Sequence, residues 1–82
     1  MYKPEEIIKA ALNEVAKYFD DDTEKNIEEL LEFGEPGVAL EVLCSQLVEF
    51  DISVPVTVKE RLDLAARIMG MKVDELQDLK VL

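Results

Sequence analysis

Few residues of this chain have the means to do chemistry, and each stands without the partners its chemistry needs. The 82-residue sequence holds one cysteine, Cys44, and no histidine. A cysteine nucleophile needs a nearby base and a depressed pKa. Without His the usual base is missing, so Cys44 reads as a buried structural thiol. Ser45 lacks the same base and reads as a hydroxyl on a polar stripe. A lone Cys allows neither an internal disulfide nor a cysteine-rich zinc site. Asp20-Asp21-Asp22 invites a calcium-loop reading, which fails on spacing. A loop opening at Asp20 needs Gly at its sixth position and Glu at its twelfth, where this chain has Lys25 and Leu31. An acyl carrier needs a Ser opening a helix within Asp-Ser-Leu. The nearest string, Asp51-Ile52-Ser53-Val54-Pro55, runs into a proline instead. There is no Gly-rich phosphate loop. No catalytic residue, cofactor-binding residue or metal ligand is assigned, no cofactor is expected, and the chain reads as a non-enzyme.

The carboxylates offer binding rather than catalysis. Net charge is −10, which opposes contact with a phosphate backbone. Residues 1–19 and 52–82 each sum to zero, whereas residues 20–51 hold eleven Asp and Glu against Lys25 alone. Within that block Glu24, Glu28 and Glu32 repel one another at i,i+4 spacing. A surface built only for stability would more often alternate signs. Such a block makes a directional field that speeds encounter with a basic partner. A solubilising face is the bland alternative.

The elements that position these groups read as helices, giving an all-α, orthogonal or bundle-like domain of four to five helices. One domain over residues 1–82 fits the length. The organising stretch is Gly34-Glu35-Pro36-Gly37 followed by the apolar run Val38 to Phe50. Gly34 ends what precedes it, and Pro36 suits a first helical turn. The spacing predicts a central helix over about 36–50, with Ala39, Leu40, Leu43, Leu47 and Phe50 on its core face. Glu41, Ser45 and Glu49 form its polar stripe, with Val38 and Val42 inside that sector.

A first helix is predicted from about Pro4 to Phe19, its stripe being Ile7, Ile8, Ala11, Leu12, Val15, Ala16 and Phe19. It reads as core scaffold. A second is expected from about Thr23 to Phe33, capped by Asp21 with Glu24, or by Asp22 or Thr23. Its inward residues are Ile27, Leu30, Leu31 and Phe33. Ile52, Val54 and Val56 predict a strap lying on the core, weakly signalled as a strand for another chain. Thr57-Val58-Lys59-Glu60 reads as a capping box with Val56 as staple. It opens a fourth helix to about Met69, with Ile68 and Met69 among the inward residues and Gly70 as its stop. A short last helix is capped by Asp74, and Val81 and Leu82 are expected to fray. No run reaches bilayer-spanning length, and Met1-Tyr2-Lys3-Pro4 lacks a signal-peptide core. A reduced, cytoplasmic, soluble protein is the expectation.

The string from Gly34 to Pro55, with Gly-Glu-Pro-Gly-Val-Ala-Leu-Glu-Val-Leu-Cys-Ser-Gln-Leu at its head, resembles the signature stretch of the MafI-type immunity proteins. These are small bacterial helical proteins encoded beside polymorphic and contact-dependent inhibition toxins. The family's pattern is Gly-Glu-X-Gly-hydrophobic-Ala-hydrophobic-Glu-X-Leu-Cys-X-Gln-Leu, then an aromatic and acidic stretch, Asp, a hydrophobic residue and Pro. Ser45 and Val48 stand where members often carry aromatic or acidic residues. The resemblance implies an immunity protein that binds and neutralises the C-terminal domain of a cognate toxin. Such toxins are often nucleases, EndoU-like ribonucleases among them. The acidic block itself predicts a basic protein partner and not nucleic acid, no membrane contact is expected, and the chain is expected to be monomeric when free or in a 1:1 complex. Acidity suits that role, because a cleft that holds phosphate is basic. The expected toxin-binding residues are Glu28, Glu29, Glu32, Glu35, Val38, Glu41, Val42, Glu49 and Asp51. The alternative is an acidic interaction or carrier-like helical module with no toxin partner.

Overall fold

The computed structural model describes residues 3–82; Met1 and Tyr2 of the opening segment lie outside the described residues. Five α-helices follow in order: α1 Pro4–Val15, α2 Asp21–Glu32, α3 Pro36–Glu49, α4 Val56–Ile68 and α5 Glu75–Asp78. The all-α expectation holds. The near-all-round apolarity of α3 has its cause in its position, for α3 packs on α1, α2, α4 and α5 alike. Ala39, Leu40, Leu43, Cys44 and Leu47 of this helix have no exposed surface. Their partners are Ile8, Leu12 and Val15 from α1, Ile27 from α2, and Val58, Leu62 and Ala65 from α4. No polar or charged residue is buried among the described residues.

Three helices end the same way. In each, the residue after the C-cap takes a left-handed conformation and two amides turn back onto the last turn. Gly34 (φ 74°) closes α2, with Glu35 N–H donating to Leu30 O at 2.9 Å. Gly70 (φ 65°) closes α4, with Met71 N–H donating to Ala66 O at 2.9 Å. These are Schellman closures, where Gly avoids the Cβ penalty. The third, ending α3, uses Asp51 (φ 56°), with Ile52 N–H donating to Leu47 O at 2.9 Å.

Several boundaries differ from expectation. The α-helical part of α1 stops at Val15, and a 3-10 turn over Ala16–Tyr18 replaces its last turn. That tighter turn reverses the chain so that Phe19, in extended backbone, packs against the core. The cap of α2 is Asp20 rather than Asp21, Asp22 or Thr23; its Oδ1 accepts the Thr23 N–H at 2.8 Å. Helix α4 opens at Val56, one residue before the expected box. Pro55 sits at its N-cap and its carbonyl accepts Val58 N–H at 3.0 Å. Thr57 is thereby drawn into the first turn, where its side chain caps nothing, and Val56 is exposed rather than stapled. Asp74 likewise has helical backbone and no capping bond.

The strap does lie on the core, with Val54 fully buried. It pairs within the chain: Val54 forms a parallel bridge with Val81. Val54 N–H donates to Lys80 O and Leu82 N–H to Val54 O, both at 2.9 Å. Val81 and Leu82 are therefore tied down by backbone bonds, not frayed.

Candidate protein-binding surface

The polar stripe of α3 faces outward as its spacing predicts. Val38 is 44 % exposed and Glu41 and Glu49 are exposed, while Val42 is half-buried and packs against the core. Glu29, Glu32 and Glu35 are exposed on α2 and the connection that follows it. None of Glu29, Glu32, Glu35, Glu41 and Glu49 makes an ion pair among the described residues. The remaining two carboxylates of the expected set are engaged. Lys9 Nζ meets Glu28 Oε2 at 2.9 Å across the α1–α2 seam, and Lys80 Nζ meets Asp51 Oδ1 at 2.6 Å.

The nine expected residues do not gather into one concave site. Glu28 and Glu32 line a groove of about 500 Å³ between α1 and α2, together with Glu5, Glu6, Lys9, Ala10, Asn13 and Leu31. Val38, Glu41 and Val42 line a second groove, of about 370 Å³, with Ser45, Gln46 and Glu75 of α5. Glu29, Glu35, Glu49 and Asp51 line neither. What joins them is a shared field and not a shared cavity.

The carboxylates differ in their surroundings. Hydrogen bonds from Thr23 hold the Asp20 carboxyl below the usual aspartate range. The Lys9 hydrogen bond, then its charge, holds Glu28 down. Glu24 goes the other way: desolvation first, then the hydrogen bond and charge of Glu28, push it up. The like-charge contact between Glu24 and Glu28 expected from their spacing is thus present, partly relieved by Lys9.

The potential nucleophiles are placed poorly for reaction. Burial, with Glu75 and Asp63 adding to it, pushes the Cys44 thiol up to about 12. At neutral pH it is a protonated, covered group. Ser53 stands on the strap before α4 opens and not at a helix start.

Two residues expected to face inward are the most exposed aromatics among the described residues. Phe33 is 78 % exposed and Phe50 is 60 % exposed. For Phe33 the signal was available, since six residues separate it from buried Ile27. At 3.6 residues per turn that is about 120° round the helix. For Phe50 it was not: seven residues from Leu43 keep it on the core face of the wheel. It is exposed because it is the C-cap of α3, where the chain leaves the helical path at Asp51. Each sits among acidic residues, Phe33 beside Glu32 and Glu35 and Phe50 between Glu49 and Asp51.

No family model matches the chain, no curated protein is similar to it, and no solved structure matches it. Among the described residues no helix is long and apolar enough to cross a membrane.

Proposed function

We propose that this chain is a protein-binding module that neutralises a basic partner, as an immunity protein does for a nuclease-type bacterial toxin domain. The observation that carries the reading is Phe33, an aromatic side chain standing in solvent within a run of unpaired carboxylates. Aromatic anchors ringed by polar residues are where binding energy concentrates in interfaces. The surrounding charge gives long-range attraction to a partner whose own cleft must hold phosphate. The resemblance from Gly34 to Pro55 supports the same reading and supplies the partner class. One partner molecule binds per chain, with Glu29, Glu32 and Glu35 around the Phe33 anchor and the α3 stripe beside it.

The test is capture from native lysate with this chain as bait, at low and high salt, followed by nuclease assays on the recovered partner. A basic domain is expected, its nuclease activity silenced by an equivalent of the chain. Replacing Phe33→Ala should weaken inhibition about thirtyfold, the magnitude of a hot spot near 2 kcal/mol. Recovery of a partner without nuclease activity, or inhibition indifferent to both salt and Phe33→Ala, would overturn the reading.

A further inference from the structure

The outer face of α1, expected to be plain scaffold, borders two grooves at once. Glu6 and Ala10 line the α1–α2 groove and also a third groove, of about 540 Å³, between α1 and α4. Ala10 is the smallest side chain on that face, so α1 forms a low saddle between the two. The floor runs from Leu31 on α2, across Ala10, to Leu64 on α4, which is 37 % exposed. The combined trough crosses three helices of a molecule whose longest extent is 28 Å.

Its charge is lopsided. On the α2 side Glu5 and Glu32, and Glu6 between the two grooves, make no ion pair among the described residues, and Lys9, the cation lining that side, is taken by Glu28. At the α4 end Arg61 is held by Glu14 at 2.7 Å. The trough therefore offers an apolar floor with negative charge gathered at one end.

The walls decide the form of the occupant. All three are helices, whose backbone N–H and C=O groups are bonded internally along their length. The trough presents side chains and no free sheet edge for an extended guest to pair with. An amphipathic helix, whose backbone bonds are internal, suits an apolar floor of this kind.

We propose that the saddle at Ala10 seats a basic amphipathic helix of the partner, its apolar stripe on Leu31, Ala10 and Leu64 and its cations toward Glu5, Glu6 and Glu32. This rests on the reading above that the partner is basic, and adds a contact centred on α1 that shares only Glu32 with the Phe33 surface.

The probe is a synthetic helix of about five turns, built from Ala, Leu and Lys with its leucines on one face. The same peptide with Glu for Lys serves as its control. Amide shifts of the labelled full chain should gather at Lys9, Ala10, Asn13, Leu31 and Leu64 with the Lys peptide and be absent with the Glu peptide. Ala10→Leu fills the saddle without changing charge and at little cost in helix propensity, and should weaken the Lys peptide at least tenfold. Phe33→Ala should leave its affinity within about twofold. Circular dichroism checks that Ala10→Leu is folded; Glu5→Gln with Glu6→Gln, outside the core, should weaken the peptide independently. Absence of binding overturns the proposal. So do shifts scattered over the carboxylates of α2 and α3, or an affinity that Ala10→Leu leaves unchanged. Those scattered shifts would leave the acidic docking reading standing, since that is judged on Phe33 and the native partner.

Discussion

The α2–α3 half and the α1–α4 half share one core yet treat charge in opposite ways. On the α4 side carboxylates and cations meet: Arg61 with Glu14, and Lys59 with Asp63 at 3.8 Å while the same Nζ donates to Leu76 O at 2.8 Å. On the α2–α3 side most carboxylates face solvent alone, and the cations that do reach the block, Lys9 and Lys80, come from outside it. Both halves reach the one core, α2 with Ile27 alone buried and α4 with Val58, Leu62, Ala65 and Ala66. The α2–α3 side thus keeps most of its carboxylates free for the basic partner proposed above.

The most severe way to break the comparison is to remove the core that both halves share. Leu43→Ala empties a fully buried site on α3 and should cost about 2–5 kcal/mol. That is a large part of the roughly 4–12 kcal/mol expected for a domain of this size. If the halves are one cooperative unit, urea unfolding stays a single transition and hydrogen exchange rises in α2 and α4 together. Exchange that rises in α2 alone would show two units with different stabilities.

A smaller effect compares the helix ends. A Cβ built on Gly34 or on Gly70 meets no atom within 4 Å, so the cost of Gly34→Ala or Gly70→Ala is backbone strain alone. Each should lower stability by about 1–2 kcal/mol, equally in the two halves. Asp51→Gly at the third end reverses the argument. It relieves a left-handed φ but gives up an exposed pair with Lys80, worth ~0–1 kcal/mol. Thermal melts should show it neutral or stabilising by no more than about 1 kcal/mol. A clear loss would mean that the Lys80 link, and not the backbone, holds this end.

The smallest effect concerns pH. Glu24 is raised, so its contribution is present below its unfolded pKa and is lost as pH rises through the folded value. Glu28 and Asp20 are lowered, so theirs is present above the unfolded values and is lost as pH falls through the folded ones. As pH falls from neutral toward about 5, the raised Glu24 gains its proton ahead of Asp20 and Glu28, and stability should rise slightly. Below that window Asp20 and Glu28 reverse the trend. Urea midpoints at both pH values check this, and Glu24→Gln should flatten the upper window. An unchanged slope in that variant would place the effect elsewhere in the block.

Periodicity made the core legible. Ile7, Ile8, Ala11, Leu12 and Val15 on α1, and Ala39, Leu40, Leu43 and Leu47 on α3, are buried as their spacing predicts. Caps were not, because Asp20, Asp21, Asp22 and Thr23 are all able caps in a row and spacing does not rank them. The same holds at α4, where Pro55 opened the helix before Thr57 could. Ile68 was expected inward and is 47 % exposed, since it ends α4 where the core no longer faces it. The Val54–Val81 bridge joins residues far apart in the chain, and no local pattern announces it. For the binding surface the sequence revealed the charge but not its division between two grooves. That division depends on how α1 and α5 lie against α2 and α3.

The Schellman closure at Gly34 has a consequence for how fast the chain folds. It joins α2 to α3 by a reversal of a few residues, so this helical pair closes at small entropic cost. The α1–α4 packing must instead bring together segments with α2 and α3 between them, and contacts of that separation form late. The pair that assembles first is thus the one whose carboxylates repel. Added salt, by screening that repulsion, should quicken the folding limb of a chevron and barely move the unfolding limb. The acidic block then acts as a brake on the chain's own assembly, whatever it does for the partner proposed above.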